Sequence, residues 1–530
     1  MIEQRVSDAL QRIYAPQVVG VPPMNASRDL MMLPDGEIRH YGFRGGFYGK
    51  AEQVRAVYIS SRDGGLNWHE VSVDGMTAGA MVRSPWSGDF ITVLSKSGHG
   101  GGDEWQSIHA VCEGTGIFVH RSVNGPDGPF TSTRINQYNG FLARQPLALR
   151  HRQRWVQPMQ RAVDYPYQPV VLLSDDDGYT WREVILPSPP PHHVAWPHAG
   201  VRWQNYGCEP TVVELSDGRL WMLMRTSQDC HYESFSTDGG ESWSQPAPSR
   251  FYATITMPLL FSMSDGRVLA VWNNSTPLPE VDHTTQPELN ESERNGVWED
   301  VFTNRDVLHA AISADDGEHW SGFRELYLNE RRNDIDFRSS GGNLGSLDKS
   351  VHQSQVLELP HGKILIAFGQ HPYCRKLLIF DPDWLNEQHR EDDFSHGLMD
   401  WSVQQYLRSL AGGFRGVSGH CAYNRRPGAA LIPHPDGLPR EVLQVACHPD
   451  TRLLHQKEGA VWNFPACMDG HLVVRLRLPR GSQGMQLCLV DRWFNPVDPV
   501  VAHFAQHVVN IDRSGGINMI PCLQYDCWTE

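Results

Sequence analysis

The sequence predicts an all-β protein, a six-bladed β-propeller followed by a C-terminal β-sandwich of jelly-roll type, and three observations carry that expectation. Apolar segments are short: VVLLS, RLWMLM, RVLAVW, KILIAF and HLVVRLRL each lie beside glycine-containing turn pairs such as Asp-Gly, which is how antiparallel strands read. Helical periodicity is scarce after the first fifteen residues. An octapeptide, Ser-x-Asp-x-Gly-x-x-Trp, recurs four times. A repeat built on short strands points to radially arranged sheets, which leave only short protected edges.

Composition bounds the function. The 530 residues carry 46 Lys+Arg against 61 Asp+Glu, a net charge of −15, with 40% apolar and 20% charged residues. Such a chain folds, and its acidity argues against nucleic acid as a partner, because phosphate backbones demand clustered Lys and Arg. No run of eighteen apolar residues offers a membrane span, so no membrane partner is expected. The opening MIEQRVSDALQRIYAPQ lacks the apolar stretch of an export signal and reads as a short amphipathic helix. Ten cysteines without a Cys-x-x-Cys pair read as free thiols in a reducing, cytoplasmic compartment. Pro191-His192-His193 with His198 lacks a carboxylate partner, so neither a metal nor a cofactor is expected.

In chain order, residues 1–19 form the helical segment and 20–385 the propeller. The boxes are Ser61–Trp68, Ser174–Trp181, Ser236–Trp243 and Ser313–Trp320. In each, Asp accepts backbone N–H groups of a hairpin turn, Gly supplies a positive φ, and Trp plugs the sheet edge. An EF-hand reading of Asp175-Asp176-Asp177-Gly178 fails, because no Glu closes a twelve-residue loop. The Trp spacings of 113, 62 and 77 residues leave room for two decayed boxes. Ser122-Val123-Asn124-Gly125-Pro126-Asp127-Gly128 and Phe380-Asp381-Pro382-Asp383-Trp384 fill them, giving six blades. Residues 386–395 are a charged linker. Residues 396–530 carry the strands HLVVRLRLP, MQLCLVDRW and HVVNIDR without a box and are expected to form the sandwich, for packing, carbohydrate binding or self-association.

Four boxes on a propeller resemble the sialidase (neuraminidase) superfamily, whose boxes are also called BNR repeats. The resemblance spans the propeller and implies a site of three arginines gripping a substrate carboxylate, a Tyr–Glu pair and an acid/base Asp. It carries over to Arg28, in Ser27-Arg28-Asp29-Leu30 ahead of the Pro34-Asp35-Gly36 turn, although the usual Ile-Pro is missing. It carries over to Glu209 and Arg225 through Cys208-Glu209-Pro210 and Met224-Arg225-Thr226, and to Arg305 in Asn304-Arg305-Asp306-Val307. Planar guanidiniums match a carboxylate in a bidentate fork, and gathering several is costly unless an anion fills the space. The acid/base slot holds Glu52, with Arg44 matching an auxiliary arginine. A Glu serves if partial burial raises its pKa.

The nucleophile slot departs from the family. The stretch Asp348-Lys349-Ser350-Val351-His352-Gln353 places His352 where Tyr is expected, as a base, a nucleophile or a wall residue, while Tyr48 and Tyr373 are the phenols on neighbouring loops. Asp103 and Glu104 lie on a glycine-rich loop expected to reach the centre, Asp103 as a substrate contact; its His-Gly-Gly-Gly resembles an esterase oxyanion loop, but no Gly-x-Ser-x-Gly accompanies it. Arg375 and His371 follow a blade-six strand near the cleft, and Cys374 has nothing to activate it. The reading is a glycosidase removing a terminal acidic sugar, sialic acid first by resemblance, and so an acidic carbohydrate as partner. Two alternatives stay open: a lyase or hydrolase on a uronic-acid or other unusual glycoside with His352 as base, and a noncatalytic acidic-glycan-binding propeller.

Overall fold

The structure is a computed structural model. It describes residues 2–23, 28–44, 55–73, 78–96, 115–138, 140–161, 168–190, 206–226, 228–253, 256–276, 305–333, 351–369, 374–403, 405–410, 423–426, 428–445, 459–466, 469–494, 496, 501–514 and 517–521. Helix α1 (Ile2–Gln11) leads into strand β1 (Gln17–Gly20). Blade one is β2 (Leu30–Met32), β3 (Ile38–Arg44), β4 (Arg55–Ser61) and β5 (His69–Ser72); blade two is β6 (Val82–Arg83), β7 (Phe90–Lys96), β8 (Gly116–Ser122) and β9 (Thr131–Asn136). In blade three the first strand is split into β10 (Gly140–Phe141) and β11 (Leu147–Ala148), both pairing with β12 (Trp155–Arg161), followed by β13 (Gln168–Ser174) and β14 (Arg182–Ile185). Blade four is β15 (Tyr206–Glu214), β16 (Leu220–Thr226), β17 (Cys230–Ser236) and β18 (Ala247–Tyr252). Blade five is β19 (Leu259–Ser262), β20 (Val268–Trp272), β21 (Val307–Ser313) and β22 (Ser321–Leu328). Blade six is β23 (Gln355–Glu358), β24 (Ile364–Phe368) and β25 (Lys376–Phe380), with β1 as its fourth strand.

Strand periodicity builds the core. On β16, Met222 and Met224 pack toward blade three while Trp221 and Leu223 pack toward blade five. Side chains alternate across a strand, so a sheet with neighbours on both sides buries both faces and reads as an unbroken apolar run. One apolar cluster fills each of the six gaps between adjacent blades.

The ring closes between blades six and one. Strand β1 pairs antiparallel with β25, so the segment expected to be helical throughout 1–19 ends as the outer strand of the last blade. Leu10 and Ile13 bury into the cluster between those two blades. On the inner side the Gln355 amide donates to and accepts from the main chain of Leu30, both at 2.8 Å, copying a ladder rung with a side chain.

All four boxes adopt one turn between the third and fourth strands of their blades. Two successive residues take left-handed φ, from 56° to 94°: Gly64-Gly65, Asp177-Gly178, Gly239-Gly240 and Asp316-Gly317. Only Gly or Asp stands at the first, because Asp is among the few residues with a Cβ that tolerate that region. In blade four the Asp238 carboxylate accepts from Ser236 Oγ (2.8 Å), Ser242 N (3.0 Å) and Ser242 Oγ (2.5 Å), and Trp243 Nε1 donates to Gly240 O (3.1 Å). Equivalent bonds tie Asp63 to Ser61 and Asn67, Asp176 to Ser174 and Thr180, and Asp315 to Ser313 and His319. The decayed boxes follow β8 and β25, at the same turn. The second is a short 3-10 segment in which Asp381 accepts from Asp383 N at 2.9 Å.

The C-terminal region leans on blades four and five. Fully buried Arg332 donates to the carbonyls of Leu398, Met399 and Trp401, and Arg390 of the linker pairs with Glu325. Trp493 lies beside Ser275 in a parallel bridge, its amide donating to Asn274 O at 2.8 Å, while the Arg492 guanidinium sits 3.3 Å from the Tyr252 ring centre. The described strands here form three two-stranded sheets and one three-stranded sheet of Met485–Leu489, His507–Ile511 and Ile517–Pro521. The run HLVVRLRL, expected as a strand, has no ladder partner among the described residues, and Val473 is 86% exposed. Its β-forming residues find no second face to bury, so propensity alone leaves them unpaired. Among the described residues no helix is long and apolar enough to cross a membrane.

The box carboxylates make the fold acid-sensitive. Burial pushes Asp238 upward, but the bonds from Ser242 and Ser236 outweigh it and hold the group at about 2, below its ordinary 3.8. That stabilisation is present above pH 4 and is lost as pH falls toward 2. Asp238→Ala is expected to cost about 1–2 kcal/mol at neutral pH. Denaturant titrations of both proteins should converge between pH 4 and 2, and a pH-independent gap would count against the carboxylate.

Candidate active site

In each blade the chain runs down the first strand, up the second and down the third. The start of the first strand, the end of the second and the start of the third therefore share one rim, opposite the box turns. Arg28 precedes β2, Arg225 ends β16, Arg305 precedes β21, His352 precedes β23 and Arg375 precedes β25, so the fold carries all five to that rim. Glu209 lies on β15 opposite the same level of β16. Arg44 ends β3 at the rim, in register with Arg55. Glu52, Asp103, Glu104, Tyr48, His371, Tyr373 and the His192-His193/His198 group lie outside the described residues.

The closest pairing is between blade-four neighbours. Arg225 Nη1 donates to Glu209 Oε2 at 2.6 Å, and both side chains are about nine-tenths buried. The β15–β16 register slips between Cys208 and Thr211, and within that bulge Glu209 takes φ +46°. A bulge re-aims a side chain, and a non-glycine residue held at positive φ costs on the order of 1 kcal/mol. The strain turns the carboxylate onto the guanidinium, where a charge-assisted bond stabilises it. His231, wholly buried at the start of β17, is pushed to about 3 by burial, with Arg225 adding to the fall, and stands neutral beside the pair.

Blades five and six supply the second group. Val351 N donates to Arg305 O at 2.9 Å, and Asn273 Nδ2 bridges Val307 O (2.6 Å) and Val351 O (3.1 Å). Gly369 N donates to His352 O at 2.8 Å. Arg305 is completely buried and His352 2% exposed, so both are set by main-chain bonds on adjacent segments. Arg375 donates to Pro23 O at 2.7 Å, and its charge adds to the burial that lowers His40 to about 3.

Whereas Arg225 bonds to a carboxylate, Arg28 is turned to main-chain and hydroxyl acceptors. Its Nη1 donates to Leu142 O (3.1 Å), and its Nη2 donates to Thr92 Oγ1 (3.1 Å) and Val93 O (2.7 Å), so its fork faces the wall of blades two and three. Burial lowers it to about 10, with Asp29 opposing.

Two features escaped the sequence reading. Asp29, beside Arg28, is raised to about 7 by burial against the pull of Arg28, which places a partly protonated carboxyl at the rim near neutrality. The dipeptide Arg144-Gln145 bonds to blades one, two, five and six. Gln145 Nε2 donates to Arg28 O (2.5 Å) and Ala80 O (2.8 Å), and Thr92 Oγ1 donates to its Oε1. Arg144 donates through its two Nη atoms to Ser354 O and Pro258 O, and Glu209 is the carboxylate whose charge opposes its burial. A polar pair between apolar Leu142-Ala143 and Leu147-Ala148 was the available signal, because a buried strand tolerates such a pair only with partners waiting.

Comparison with known proteins agrees with the box-based resemblance. Residues 129–366 match the family model described as the BNR repeat-like domain. No curated protein matches the chain. Among solved structures the chain is similar to a protein of unknown function from Dyadobacter fermentans, at 16% identity over 69% of this chain and 97% of that one, with a TM-score of 0.43. It is also similar to a sialidase from Streptococcus pneumoniae (13% identity, 69% and 71% covered, TM-score 0.42). A third is an α-L-arabinanase from Penicillium chrysogenum complexed with arabinobiose (12% identity, 70% and 99% covered, TM-score 0.41).

Breaking a buried ion pair from one side leaves the other charge stranded, at a cost of roughly 3–5 kcal/mol. Glu209→Gln and Arg225→Met are each expected to lose stability on that scale, and the double variant less than their sum. Urea denaturation of the four proteins measures this. Strict additivity would show that the two groups do not depend on each other.

Proposed function

We propose that this chain is a sialidase-like glycoside hydrolase that releases a terminal carboxylated sugar, sialic acid being the first candidate, from an acidic glycoside. The observation that supports it best is the buried Glu209–Arg225 pair on a strained bulge at a rim that also carries Arg28, Arg305, His352 and Arg375. A carboxylate bonded to a guanidinium is held in one orientation, which a base must be. Clustered guanidiniums create a positive potential in an otherwise acidic protein, and an anionic ring substituent fits it. In this reading Arg225 and Arg305 attract the sugar carboxylate, with Arg28 behind them as a fixed charge.

The chemistry is a displacement at the anomeric carbon. The glycosidic C–O bond breaks, and the leaving oxygen takes a proton from Glu52. A water oxygen bonds to the anomeric carbon, and its proton passes to the side formed by Glu209 and His352. A second reading rests on His352 itself: an imidazole in place of a phenol suits abstraction of a proton from a uronic acid, followed by elimination. The scattered cysteines, with Cys230, Cys374 and Cys488 free thiols, support a cytoplasmic setting.

A panel of acidic glycosides with mass detection of products tests the proposal. Release of an intact acidic monosaccharide is expected, and methyl esterification of its carboxylate should lower kcat/KM by about 100-fold, some 3 kcal/mol of transition-state binding. An unsaturated, ultraviolet-absorbing product would replace hydrolysis with elimination. Tight binding with no product would make the propeller a lectin.

A further inference from the structure

We infer that Arg144 is a positioning residue for the reaction, binding Glu209 and the His352 segment into one unit across the propeller axis. The inference rests on the proposed glycosidase reading of that rim. Arg144 stands in blade three, yet its two Nη atoms donate to Pro258 O, ahead of β19 in blade five, and to Ser354 O, two residues beyond His352 in blade six. Its own carbonyl accepts from Gln157 Nε2 at 3.0 Å, which fixes its main chain to β12. The side chain is 8% exposed, and burial lowers it to about 9, with Glu209 the carboxylate opposing that fall. One guanidinium therefore does two jobs. Its fork sets the main chain that carries His352, and its charge reaches the carboxylate that Arg225 already holds.

The surroundings of Glu209 leave this charge in a narrow company. From β16 comes Arg225, bonded to it, with His231 of β17 behind Arg225. On β12 the charged residue nearest the rim, Arg161, is turned to Glu183 at 3.5 Å. Strands β13 and β19 present no titratable side chain. Beside Arg225, which bonds to Glu209, Arg144 is a cation whose charge and that of Glu209 act on each other.

A hub arginine kept only for folding would lower stability and leave turnover per folded molecule intact. A positioning residue separates kcat from KM. Arg144→Met, assayed on the best acidic glycoside, should lose at least 100-fold in kcat with KM within threefold of wild type. Arg144→Lys keeps the charge but not the fork, and should recover at least tenfold of that loss. In a stability cycle, Arg144→Met combined with Glu209→Gln should depart from the product of the single effects on the unfolding constant by at least fivefold, and Arg144→Lys with Glu209→Gln should retain most of that departure. Unchanged kcat in a folded Met variant, or independent effects in the cycle, overturns the inference. If Arg144→Met does not fold, the Lys variant decides alone: more than a 100-fold loss of kcat in a protein as stable as wild type overturns the role of charge, and a loss within tenfold supports it. Wild-type protein inactive on every glycoside overturns the glycosidase reading instead, and the stability cycle then still decides whether Arg144 and Glu209 are coupled.

Discussion

The hydrogen bonds of Arg144 and Gln145 at the propeller axis are the constraint on which the rest of this structure depends. Six sheets arranged radially satisfy their own ladders, but the inner ends of their first strands converge where no further strand can pair. Carbonyls exposed there cost free energy unless a donor reaches them. A guanidinium and a primary amide projecting from one blade supply those donors to Arg28, Ala80, Pro258 and Ser354 together. Burying that guanidinium is itself unfavourable, and the carbonyls and the Glu209 charge offset it. Closing the hub and placing a cation beside the candidate base are therefore one event.

The two rims of the propeller divide the labour. At one, the box turns repeat a network of Ser, Asp, Gly and Trp within eight residues, to which other segments add bonds such as Arg154 to Gly239 O and Ser216 N to Asp316. Because the Ser-Asp-Gly-Trp bonds of each box are local, boxes can decay in blades two and six while the ring survives. At the other rim the contacts are long-range, joining Arg28 to blades two and three and Arg144 to blades five and six. Side chains that converge there come from distant parts of the chain, which is what a site for a branched polar ring requires. The C-terminal region seats on blades four and five through Trp493, Arg492 and the Arg332 carbonyl cluster, and so braces the blade that carries Arg305.

Legibility followed the range of the interaction. Glu209 and Arg225 were each placed through the resemblance, by motifs on either side of one Asp-Gly turn; that these residues, sixteen apart, bond to each other came only from the structure. Arg28 precedes the first strand of blade one, but its fork faces Thr92, Val93 and Leu142, because wall acceptors in the next blades compete for its donors. Arg144 was missed since its partners are 114 and 210 residues away and share no motif with it. HLVVRLRL was over-read for the converse reason: its composition suits a strand, and only a neighbouring edge turns propensity into pairing.

By itself the amino-acid order determined the six-blade count and the turns that separate third from fourth strands. These follow from periodicity two and from which residues accept a left-handed backbone, both properties of a few adjacent residues. Tertiary structure alone decided which charges meet, that Glu209 is strained onto Arg225, that Arg28 turns to its wall, and that one arginine of blade three spans the axis. Those outcomes depend on competition among buried donors and acceptors from all six blades, and that competition exists only once the ring has closed.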